Sequence, residues 1–571
     1  MINDKAQRAI RESEDNGMAD NSSNATDMDC VVVGAGFSGL YATYKLTQLG
    51  LSLRCFDAGV DVGGVWNWNR YPGATVDVLS RDYSYSFSNE LQRDWNWGMR
   101  YSRQPEIVAY QQHVVERFHL RQFMQFETRV TAAIYDAETD RWEVRTDKGD
   151  LIHARFIVMA CGHLSAPNKP NFPGLAEFPG ETHHTGYWPR EKVEFAGKRV
   201  GVIGTGSSGI QLITAIAPEA EHLTVFQRTP HFSLPINNAV TDQDVEETFK
   251  AGYPEYRAML RRDYKGAFFM DGSPMPSALA AAPEEREAVF EELWGKGGPG
   301  FLRNSYEDIM ISEEANEIIS DFVRRKIDQT VRDPEVARKL KPSGYPIGTK
   351  RICLDEGYYE TFNRENVTLV DIRSDPIERF TENGIVVAGV EHQLDMVIFA
   401  TGYDAFTGSL FKIDIRGREG LTLKAKWEDG PVNYLGLMIS DFPNFFNIQG
   451  PGSPSIFANV VTGTEQQIDW VAGAITYLDS EGYATIESDS DAEQRWLTYC
   501  DDIVKDTLFT KAQSWWVGTN VPGKKRFFYA FAGGFQDYSA KCQAEADSGY
   551  ASFRIARSTL ATSVTATAQS A

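Results

Sequence analysis

Two glycine-rich segments of the sequence have the residue types and spacing that bind the phosphates of a dinucleotide. Both follow the pattern G-x-G-x-x-G, at residues 34–39 and 204–209. The first glycine allows a tight turn, the second lets the backbone approach a pyrophosphate, and the third lets a helix pack closely on a strand. Free N–H groups at the start of the following helix then bind the anion. The residues expected at the phosphates are Gly34, Gly36, Phe37, Ser38 and Gly39 in the first segment and Gly204, Thr205, Gly206, Ser207, Ser208 and Gly209 in the second.

The residue that ends the strand after each glycine segment distinguishes the two sites. The strand LSLRCFDA follows the first helix and ends near Asp57, where a carboxylate hydrogen-bonds ribose hydroxyl groups. The corresponding strand HLTVFQR ends at Arg228, with Thr229 beside it. An acidic residue there would repel a 2′-phosphate, whereas a guanidinium binds it in a planar, bidentate geometry. The second site therefore favours NADPH over NADH.

The elements around these segments predict the fold. Each glycine segment lies between a short apolar strand and an amphipathic helix, which makes it a separate βαβ nucleotide-binding unit. A helical block lies between the second unit and the strands that follow it, where stretches such as SEEANEIISDFVRRKI have apolar residues near a 3.6-residue period. We therefore predict an α/β fold class with two Rossmann-like dinucleotide-binding domains and a helical insertion. The expected boundaries are 29–163 and 395–555 for the first domain, 164–236 and 341–394 for the second, 237–340 for the insertion, 1–28 for a disordered leader and 556–571 for a flexible tail.

The composition argues against several classes of protein. The chain has 571 residues and a net charge of −22, which argues against nucleic acid as a partner, because phosphate binding needs clustered Lys and Arg. Its six cysteines form no CxxC pair, so we expect a reducing, cytoplasmic location and no metal or dithiol site. No run approaches the ~20 apolar residues of a membrane helix, so no membrane is expected. We expect a monomer or a weak oligomer.

Three further motifs resemble those of flavoproteins that have two dinucleotide domains. The sequence Gly63-Gly64-Val65-Trp66, followed by Tyr71-Pro72-Gly73-Ala74 and Asp77, resembles their flavin-side motif. Residues 400–402 and 442–454 resemble their second and third flavin contacts. This resemblance implies FAD in the first unit. The residues that it adds to the FAD site are Gly64, Val65, Trp66, Tyr71, Asp77 and Tyr83.

The segment between the two units carries the most specific pattern of the chain. It matches F-x-G-x-x-x-H-x-x-x-W-P at every fixed position, which are Phe178, Gly180, His184, Trp188 and Pro189. With these residues the chain, from about residue 29 to 553, resembles the type I Baeyer–Villiger monooxygenases, and among them the phenylacetone and steroid monooxygenase branch. Related N- and S-oxygenating enzymes resemble the same pattern with Tyr or Phe in place of the tryptophan. We expect His184 to be a hinge or packing residue rather than a catalytic base.

The resemblance implies a reaction and the residues that perform it. NADPH would reduce FAD, the reduced flavin would capture O2 as a C4a-peroxyflavin, and a small-molecule ketone would become an ester or a lactone. Arg351 matches the cation beside the peroxide, where a fixed charge stabilises an anion best, and Asp77 matches the acid that orients it. Lys350 resembles a second ligand of the 2′-phosphate, Arg351 also faces the cofactor, and Trp515 aligns near the nicotinamide. The substrate pocket would contain His163, Leu164, Ser455, Ile456, Phe457 and Val460.

The sequence also indicates a class of substrate, and three other classes of protein are alternatives. The segment GPGSPSIFANV is similar to the longer form of the aryl-ketone branch and indicates aromatic, bulky or cyclic ketones, with sulfoxidation as a side activity. One alternative is a dithiol flavoprotein reductase, which needs a cysteine pair near the flavin. A redox sensor without turnover is a second, but it has no need for Asp77, Arg351 and Trp188 together. The third is an N- or S-oxygenase, which Trp188-Pro189 disfavours.

Overall fold

A computed structural model describes residues 25–267 and 274–558. The strands in these ranges are β1 Thr26–Val33, β2 Leu53–Phe56, β3 Met124–Gln125, β4 Val130–Asp136, β5 Arg141–Thr146, β6 Leu151–Met159, β7 Glu181–His184, β8 Arg199–Ile203, β9 His222–Gln227, β10 Ser233–Pro235, β11 Cys353–Asp355, β12 Val367–Asp371, β13 Ile377–Phe380, β14 Gly384–Val387, β15 Val390–Gln393, β16 Met396–Phe399, β17 Asp414–Arg416, β18 Phe445–Asn447, β19 Thr485–Ser488 and β20 Phe553–Ala556. The α-helices are α1 Phe37–Gln48, α2 Val65–Trp68, α3 Asn89–Asp94, α4 Gln104–Arg117, α5 Ser207–Ile216, α6 Gln243–Lys250, α7 Tyr253–Arg262, α8 Pro283–Lys296, α9 Gly300–Arg303, α10 Glu313–Thr330, α11 Pro334–Leu340, α12 Tyr358–Thr361, α13 Leu423–Lys426, α14 Val460–Glu481, α15 Ser490–Lys505 and α16 Phe535–Asp547. Short 3-10 turns cover Leu120–Phe123, Leu175–Glu177, Thr185–Tyr187, Glu307–Met310, Leu410–Lys412, Arg418–Gly420, Ser455–Phe457, Leu508–Thr510 and Trp515–Val517.

The first sheet is built around β1. Its strands have the order β17-β4-β5-β6-β1-β2-β3, and β18 also pairs with β6. β1 is parallel to both β2 and β6, and its residues 30–33 are buried, as expected for a central parallel strand. The carboxyl ends of β1, β2 and β6 meet at one edge, where they are followed by Gly34, Asp57 and Ala160. The first glycine segment therefore lies at the edge where open α/β sheets bind ligands.

The second sheet repeats this arrangement. Its five strands have the order β12-β9-β8-β16-β7, and all of them are parallel. The residues that follow β8, β9 and β16 are Gly204, Arg228 and Ala400. The two Rossmann-like units that the glycine segments predict are therefore both present.

One predicted boundary is wrong. We expected residues 395–555 in the first domain, but β16 (Met396–Phe399) pairs with β8 and β7 in the second sheet. Its four buried apolar residues fit the interior of either sheet, and the choice depends on long-range pairing that the local sequence does not encode. The wider division into domains stays a prediction.

The chain ends also differ slightly from the expected boundaries. β1 begins at Thr26 and pairs with Ile152, so residues 26–28 belong to the sheet and not to a leader. β20 extends to Ala556 and pairs with β19. The rest of the predicted leader and tail, residues 1–24 and 559–571, lies outside the described residues.

The predicted helical block, residues 237–340, contains α6 to α11. The longest of these, α10, is capped by Ser312, whose side chain accepts a hydrogen bond from Ala315 N, and it buries Ile319 and Phe322. β10 and β11 flank the block in sequence and pair with each other, Ser233 opposite Cys353. This pairing brings the chain back beside the second unit two residues after Arg351. No helix within the described ranges is long and apolar enough to cross a membrane.

Candidate active site

The first glycine segment forms a cradle of bare backbone. A Cβ atom on Gly36 would lie 3.2 Å from the Cα atom of Gly64, so two glycine backbones approach each other directly. α1 begins at Phe37 with no side-chain cap, which leaves its first N–H groups available to an anion. Asp57 is fixed beside them, because its Oδ2 accepts a hydrogen bond of 2.6 Å from Ala35 N. These features fit the pyrophosphate and ribose of FAD.

The other predicted flavin residues lie in two places. Some lie near the first glycine loop, and Tyr71 lies at the interface between the two nucleotide-binding units. Trp66 Nε1 donates to the hydroxyl group of Tyr83 at 3.1 Å, so these two side chains are held together. Tyr71 instead donates to Gln211 Oε1 of α5 at 2.9 Å and is buried in the core of the second unit. Tyr71 therefore joins the two nucleotide-binding units to each other.

The second glycine segment has free space at its middle glycine, Gly206, whereas the backbone of Gly64 lies against the corresponding Gly36 of the first segment. A Cβ atom on Gly206 would meet nothing within 4 Å, and α5 begins after it with no side-chain cap. The hydroxyl group of Thr205 donates to the carbonyl oxygen of Thr229 at 3.1 Å, which ties the loop to the end of β9. The free space and the uncapped helix fit a second pyrophosphate.

A cluster of basic side chains lies beside this second loop. Arg228 and Lys350, both predicted from the sequence, are joined by Arg373, whose Nε donates to the carbonyl oxygen of Arg228 at 3.2 Å. Among the described residues no carboxylate forms a salt bridge with these three side chains. His231 lies next to them, with its buried Nδ1 unpaired. The cluster fits a 2′-phosphate, which would supply the missing negative charge.

Sequence reasoning missed Arg373 and His231. Arg373 follows β12, the neighbour of β9 in the sheet, and only the strand order brings it to Arg228. A basic residue just after an apolar strand is the one local signal that was available. His231 lies three residues after Arg228, and no local pattern marked it as part of the site.

The position of Lys350 in this basic cluster predicts a pH dependence of NADPH binding. Burial, with help from Arg228 and Arg373, lowers the pKa of Lys350 to about 8. Its ammonium group is therefore present below pH 8 and is lost as the pH rises through that value, while the 2′-phosphate stays dianionic above about pH 6. We expect the dissociation constant of NADPH to rise above pH 8, by up to about tenfold per pH unit, since one bound proton is linked to binding. Titration of the flavoprotein with NADP⁺ between pH 7 and 9.5 measures it.

A matched variant checks the assignment to this lysine. Lys350→Met keeps the length of the side chain but cannot ionise, so its NADP⁺ affinity should be weaker and lack this rise above pH 8. NAD⁺, which has no 2′-phosphate, serves as the control ligand. A wild-type affinity that stays constant from pH 7 to 9.5 would contradict the role of Lys350.

Arg351 and Asp77 form the ion pair that the sequence predicts. Arg351 donates from Nε and Nη2 to Asp77 Oδ2, at 2.9 and 2.5 Å, and from Nη1 to the carbonyl oxygen of Ile456 at 3.3 Å. The negative charge of Asp77 raises the pKa of Arg351, which keeps the guanidinium charged. Exposed fractions of 37% and 28% leave both side chains open to a ligand. The pair thus connects three segments of the chain. Asp77 follows the YPG motif, Arg351 follows the helical block, and Ile456 lies in the turn before α14.

The predicted substrate-side residues gather around an aromatic cluster. The His163 ring stacks on those of Phe406 and Trp515, with 5.7 and 6.5 Å between ring centroids. Burial lowers the pKa of His163 to about 4. Leu164, Ile456 and Phe457 pack in the same cluster. Ser455 begins the turn that ends at Phe457, whereas Val460 packs against the core of the first unit. The structure therefore brings all of these residues except Val460 together at the aromatic cluster. The surface that they form with Phe406 and Trp515 is the substrate wall.

The linker pattern lies at the junction of the two units. His184 donates from Nε2 toward the carbonyl oxygen of Asn168 at 3.1 Å, while its Nδ1 accepts from Gly186 N at 2.9 Å. Both ring nitrogens are thus engaged in backbone contacts, which supports the prediction of a packing role. Trp188 N donates to the carbonyl oxygen of Trp68, and so ties the second unit to the flavin-side helix α2.

The linker glycine and its neighbours are fixed in the same way. A Cβ atom on Gly180 would lie 2.5 Å from the carbonyl oxygen of Asp395, so only glycine fits there. Phe178 is buried in the apolar cluster beside the second sheet. Pro189 follows Trp188 at the end of this segment. The pattern F-x-G-x-x-x-H-x-x-x-W-P therefore describes the packing between the units more than a set of reacting groups.

Together, these features define a class of protein. Two α/β units, the first with a mixed sheet and the second with a parallel one, each present a glycine loop and an uncapped helix. The first loop has the carboxylate of Asp57 beside it and the second has a basic cluster, and Arg351 contacts Asp77 and the turn at Ile456. This is a flavoprotein with separate sites for a flavin and a phosphorylated nicotinamide dinucleotide. In the described parts of the chain no group of side chains could hold a metal ion.

Comparisons with known proteins identify the family. The family model described as flavin-binding monooxygenase-like matches residues 28–248. The chain is 45% identical to a Baeyer–Villiger monooxygenase of Pseudooceanicola batsensis over 92% of this chain and 96% of that one. It is 42% identical to a cyclohexanone 1,2-monooxygenase of Acinetobacter sp., over 92% and 97%. A solved structure of oxidized steroid monooxygenase bound to NADP has 50% identity and a TM-score of 0.88, over 93% of this chain and 100% of that one.

The chain belongs to the Baeyer–Villiger monooxygenase family. Membership confirms the predicted family and α/β fold class, and with them FAD and NADPH as cofactors. It is a ketone monooxygenase, and the dithiol reductase and the redox sensor without turnover are therefore rejected. The roles of individual site residues stay predictions.

Proposed function

We propose that this monooxygenase converts aromatic, bulky or cyclic ketones into esters or lactones, with Arg351 as the catalytic cation and sulfides as secondary substrates. The observation that carries the proposal is the ion pair of Arg351 and Asp77, linked to the Ile456 carbonyl oxygen beside the aromatic cluster. In this proposal the first glycine loop, with Asp57, holds FAD, and the second loop, with Arg228 and Lys350, holds NADPH.

Arg351 has the properties that the reaction requires of a catalytic cation. When bound, FAD takes a hydride from NADPH and activates O2 for transfer to the ketone. Negative charge then develops on oxygen, and a preorganised cation in a water-poor site stabilises it most. Asp77 and Ile456 use three of the five N–H groups of Arg351, so two are left to face the reacting atoms. Asp77 orients the guanidinium and does not need to react.

The aromatic cluster supports the choice of substrate class. The ring centroid of Phe457 lies 4.9 Å from that of Phe509 and 5.0 Å from that of Trp516. The rings of His163 and Trp515 extend the same substrate wall. Such rings favour apolar and aromatic groups through buried area and ring stacking. The pKa of His163 lies far below neutrality, so this imidazole adds no charge at working pH. A bulky apolar ketone is therefore a better match than a small one.

Product analysis with labelled oxygen tests the proposal. The yellow protein would be incubated with NADPH, ¹⁸O2 and a panel that includes aryl, bicyclic and monocyclic ketones, acetone and an aryl sulfide. We expect esters or lactones with one ¹⁸O atom, and higher kcat/KM values for the aryl and bulky members than for acetone. Oxidation of NADPH with H2O2 as the sole product for every ketone would overturn the activity. Equal or better turnover of acetone would overturn the substrate class alone.

A further inference from the structure

A lysine that the predicted site does not include lies at the edge of the substrate wall. Lys265 follows α7, and its carbonyl oxygen accepts a hydrogen bond of 2.8 Å from Asn459 N, at the start of α14. The next carbonyl oxygen, of Gly266, accepts from the hydroxyl group of Thr462 at 3.1 Å. The backbone at this position is therefore fixed to the segment that carries Phe457, whatever side chain residue 265 has.

The described residues give the amine of Lys265 aromatic neighbours and no hydrogen-bond acceptor. Its Nζ atom lies 4.9 Å from the ring centroid of Phe457 and 5.2 Å from that of Tyr264. Within the ranges that the structure describes, no oxygen atom accepts a hydrogen bond from it. The nearby carboxylate of Asp263 is already engaged, since it binds both terminal nitrogens of Arg303, at 2.8 and 2.5 Å.

The charges around Lys265 are mostly positive. Burial, together with the positive charges of Arg303 and Arg351, lowers the pKa of Lys265 to about 7, and Asp263 opposes this shift. A cation held in an apolar site without a partner is unfavourable, and an anion brought to it restores the balance. Among the described residues, Lys265 is therefore a protonatable amine near Arg351 without a counter-charge of its own.

Neither cofactor accounts for this amine. The phosphates of the two dinucleotides have their own sites, at the uncapped starts of α1 and α5 and at the basic cluster of Arg228 and Lys350. Lys265 instead contacts Phe457, on the substrate wall. We therefore expect the negatively charged partner of Lys265 to be a group on the substrate.

We propose that Lys265 is a specificity-determining residue whose ammonium group binds an anionic group, a carboxylate above all, on a ketone substrate. The aromatic wall would hold the apolar part of this keto acid, Arg351 would face the carbonyl group, and Lys265 would bind the carboxylate. This inference rests on the proposed function and narrows its substrate class to keto acids.

Paired substrates test the inference separately from the activity. Phenyl-substituted keto acids of increasing chain length would be compared with their methyl esters, which have the same ketone but no charge. At pH 6, where Lys265 is protonated and the acids are ionised, we expect kcat/KM for at least one acid to exceed that of its ester about tenfold or more. The ratio should fall as the pH rises through about 7, since kcat/KM reports the free enzyme.

Two variants assign the effect to this residue. Lys265→Met keeps the length and apolar stem of the side chain, and we expect it to oxidise the esters normally while losing the preference for the acid. Lys265→Arg, which stays charged, should keep the preference and lose its decline above pH 7. Retained flavin in both variants shows that they are folded.

The outcomes separate this inference from the proposed function. Oxidised esters with no acid preferred by the wild type, or a preference that survives in Lys265→Met, would overturn the role of Lys265 and leave the monooxygenase activity standing. If Lys265→Met lowered kcat/KM equally for the acid and the ester, the proposed role would also be overturned, because Lys265 would then affect the cofactors and not the carboxylate of the substrate. Absence of oxygenated product from every ester would instead contradict the proposed function.

Discussion

Replacement of Arg351 with alanine is expected to abolish ester formation while NADPH still reduces the flavin. The variant loses the charge that Asp77 holds beside the Ile456 carbonyl oxygen, and with it the stabilisation of negative charge on the reacting oxygen. Removal of a single oxyanion donor costs about 10²–10³ in kcat in other enzymes, and loss of a full charge should cost at least as much. Stopped-flow absorbance measures flavin reduction, and product yield per NADPH measures oxygen transfer.

Two controls separate this effect from misfolding. Arg199→Ala removes another bidentate arginine–carboxylate pair, with Asp395, at a solvent-accessible position of the second sheet, and it should leave the product yield unchanged. In Arg351→Ala the electrons taken from NADPH should appear as H2O2. Wild-type ester yield from Arg351→Ala would refute the assignment of the catalytic cation.

The glycine loops could be predicted because all their determinants are local. Strand, turn and helix follow one another within about 25 residues, and the glycines at the turns have no substitute. A Cβ atom on Gly39 would lie 1.6 Å from the carbonyl oxygen of Gly34, and one on Gly209 would lie 2.2 Å from that of Gly204. Asp57 and Arg228 then follow directly from the next strand in each unit. Local sequence therefore predicts both loops and the residue that ends the next strand in each unit, whereas FAD in the first unit is predicted from the family resemblance.

Apart from His231, the features that sequence reasoning missed depend on distant parts of the chain. β16 joins the second sheet through pairing with β8, almost 200 residues earlier. Arg373 reaches Arg228 because β12 and β9 are neighbours, and Lys265 reaches Phe457 because a loop after α7 binds the start of α14. A basic residue just after an apolar strand is the one local signal among these contacts, at Arg373, and it does not show which strand lies beside β12. The ion pair of Arg351 and Asp77 is equally distant in sequence and was expected through the family resemblance alone.

Replacement of Arg228 with alanine is expected to weaken the binding of NADPH and leave that of NADH almost unchanged. The guanidinium follows β9 and belongs to a basic cluster that no carboxylate in the described ranges neutralises, so the 2′-phosphate is the charge that it best complements. A hydrogen bond to a charged group contributes about 1.5–3 kcal/mol, which corresponds to a loss of affinity of about 10- to 150-fold. Dissociation constants of NADP⁺ and NAD⁺ for the oxidised flavoprotein measure the difference.

The size of this loss also depends on the neighbours of Arg228. Lys350 and Arg373 remain in the variant, so the effect should lie nearer the lower end of that range, and Arg228→Ala combined with Lys350→Met should exceed either single change. Arg338→Ala, at an exposed arginine of α11 that pairs with Glu335, is the matched control and should leave both dissociation constants unchanged. If Arg228→Ala bound NADP⁺ as tightly as the wild type, the 2′-phosphate would have to lie elsewhere, and the preference for NADPH would need another cause than the end of β9.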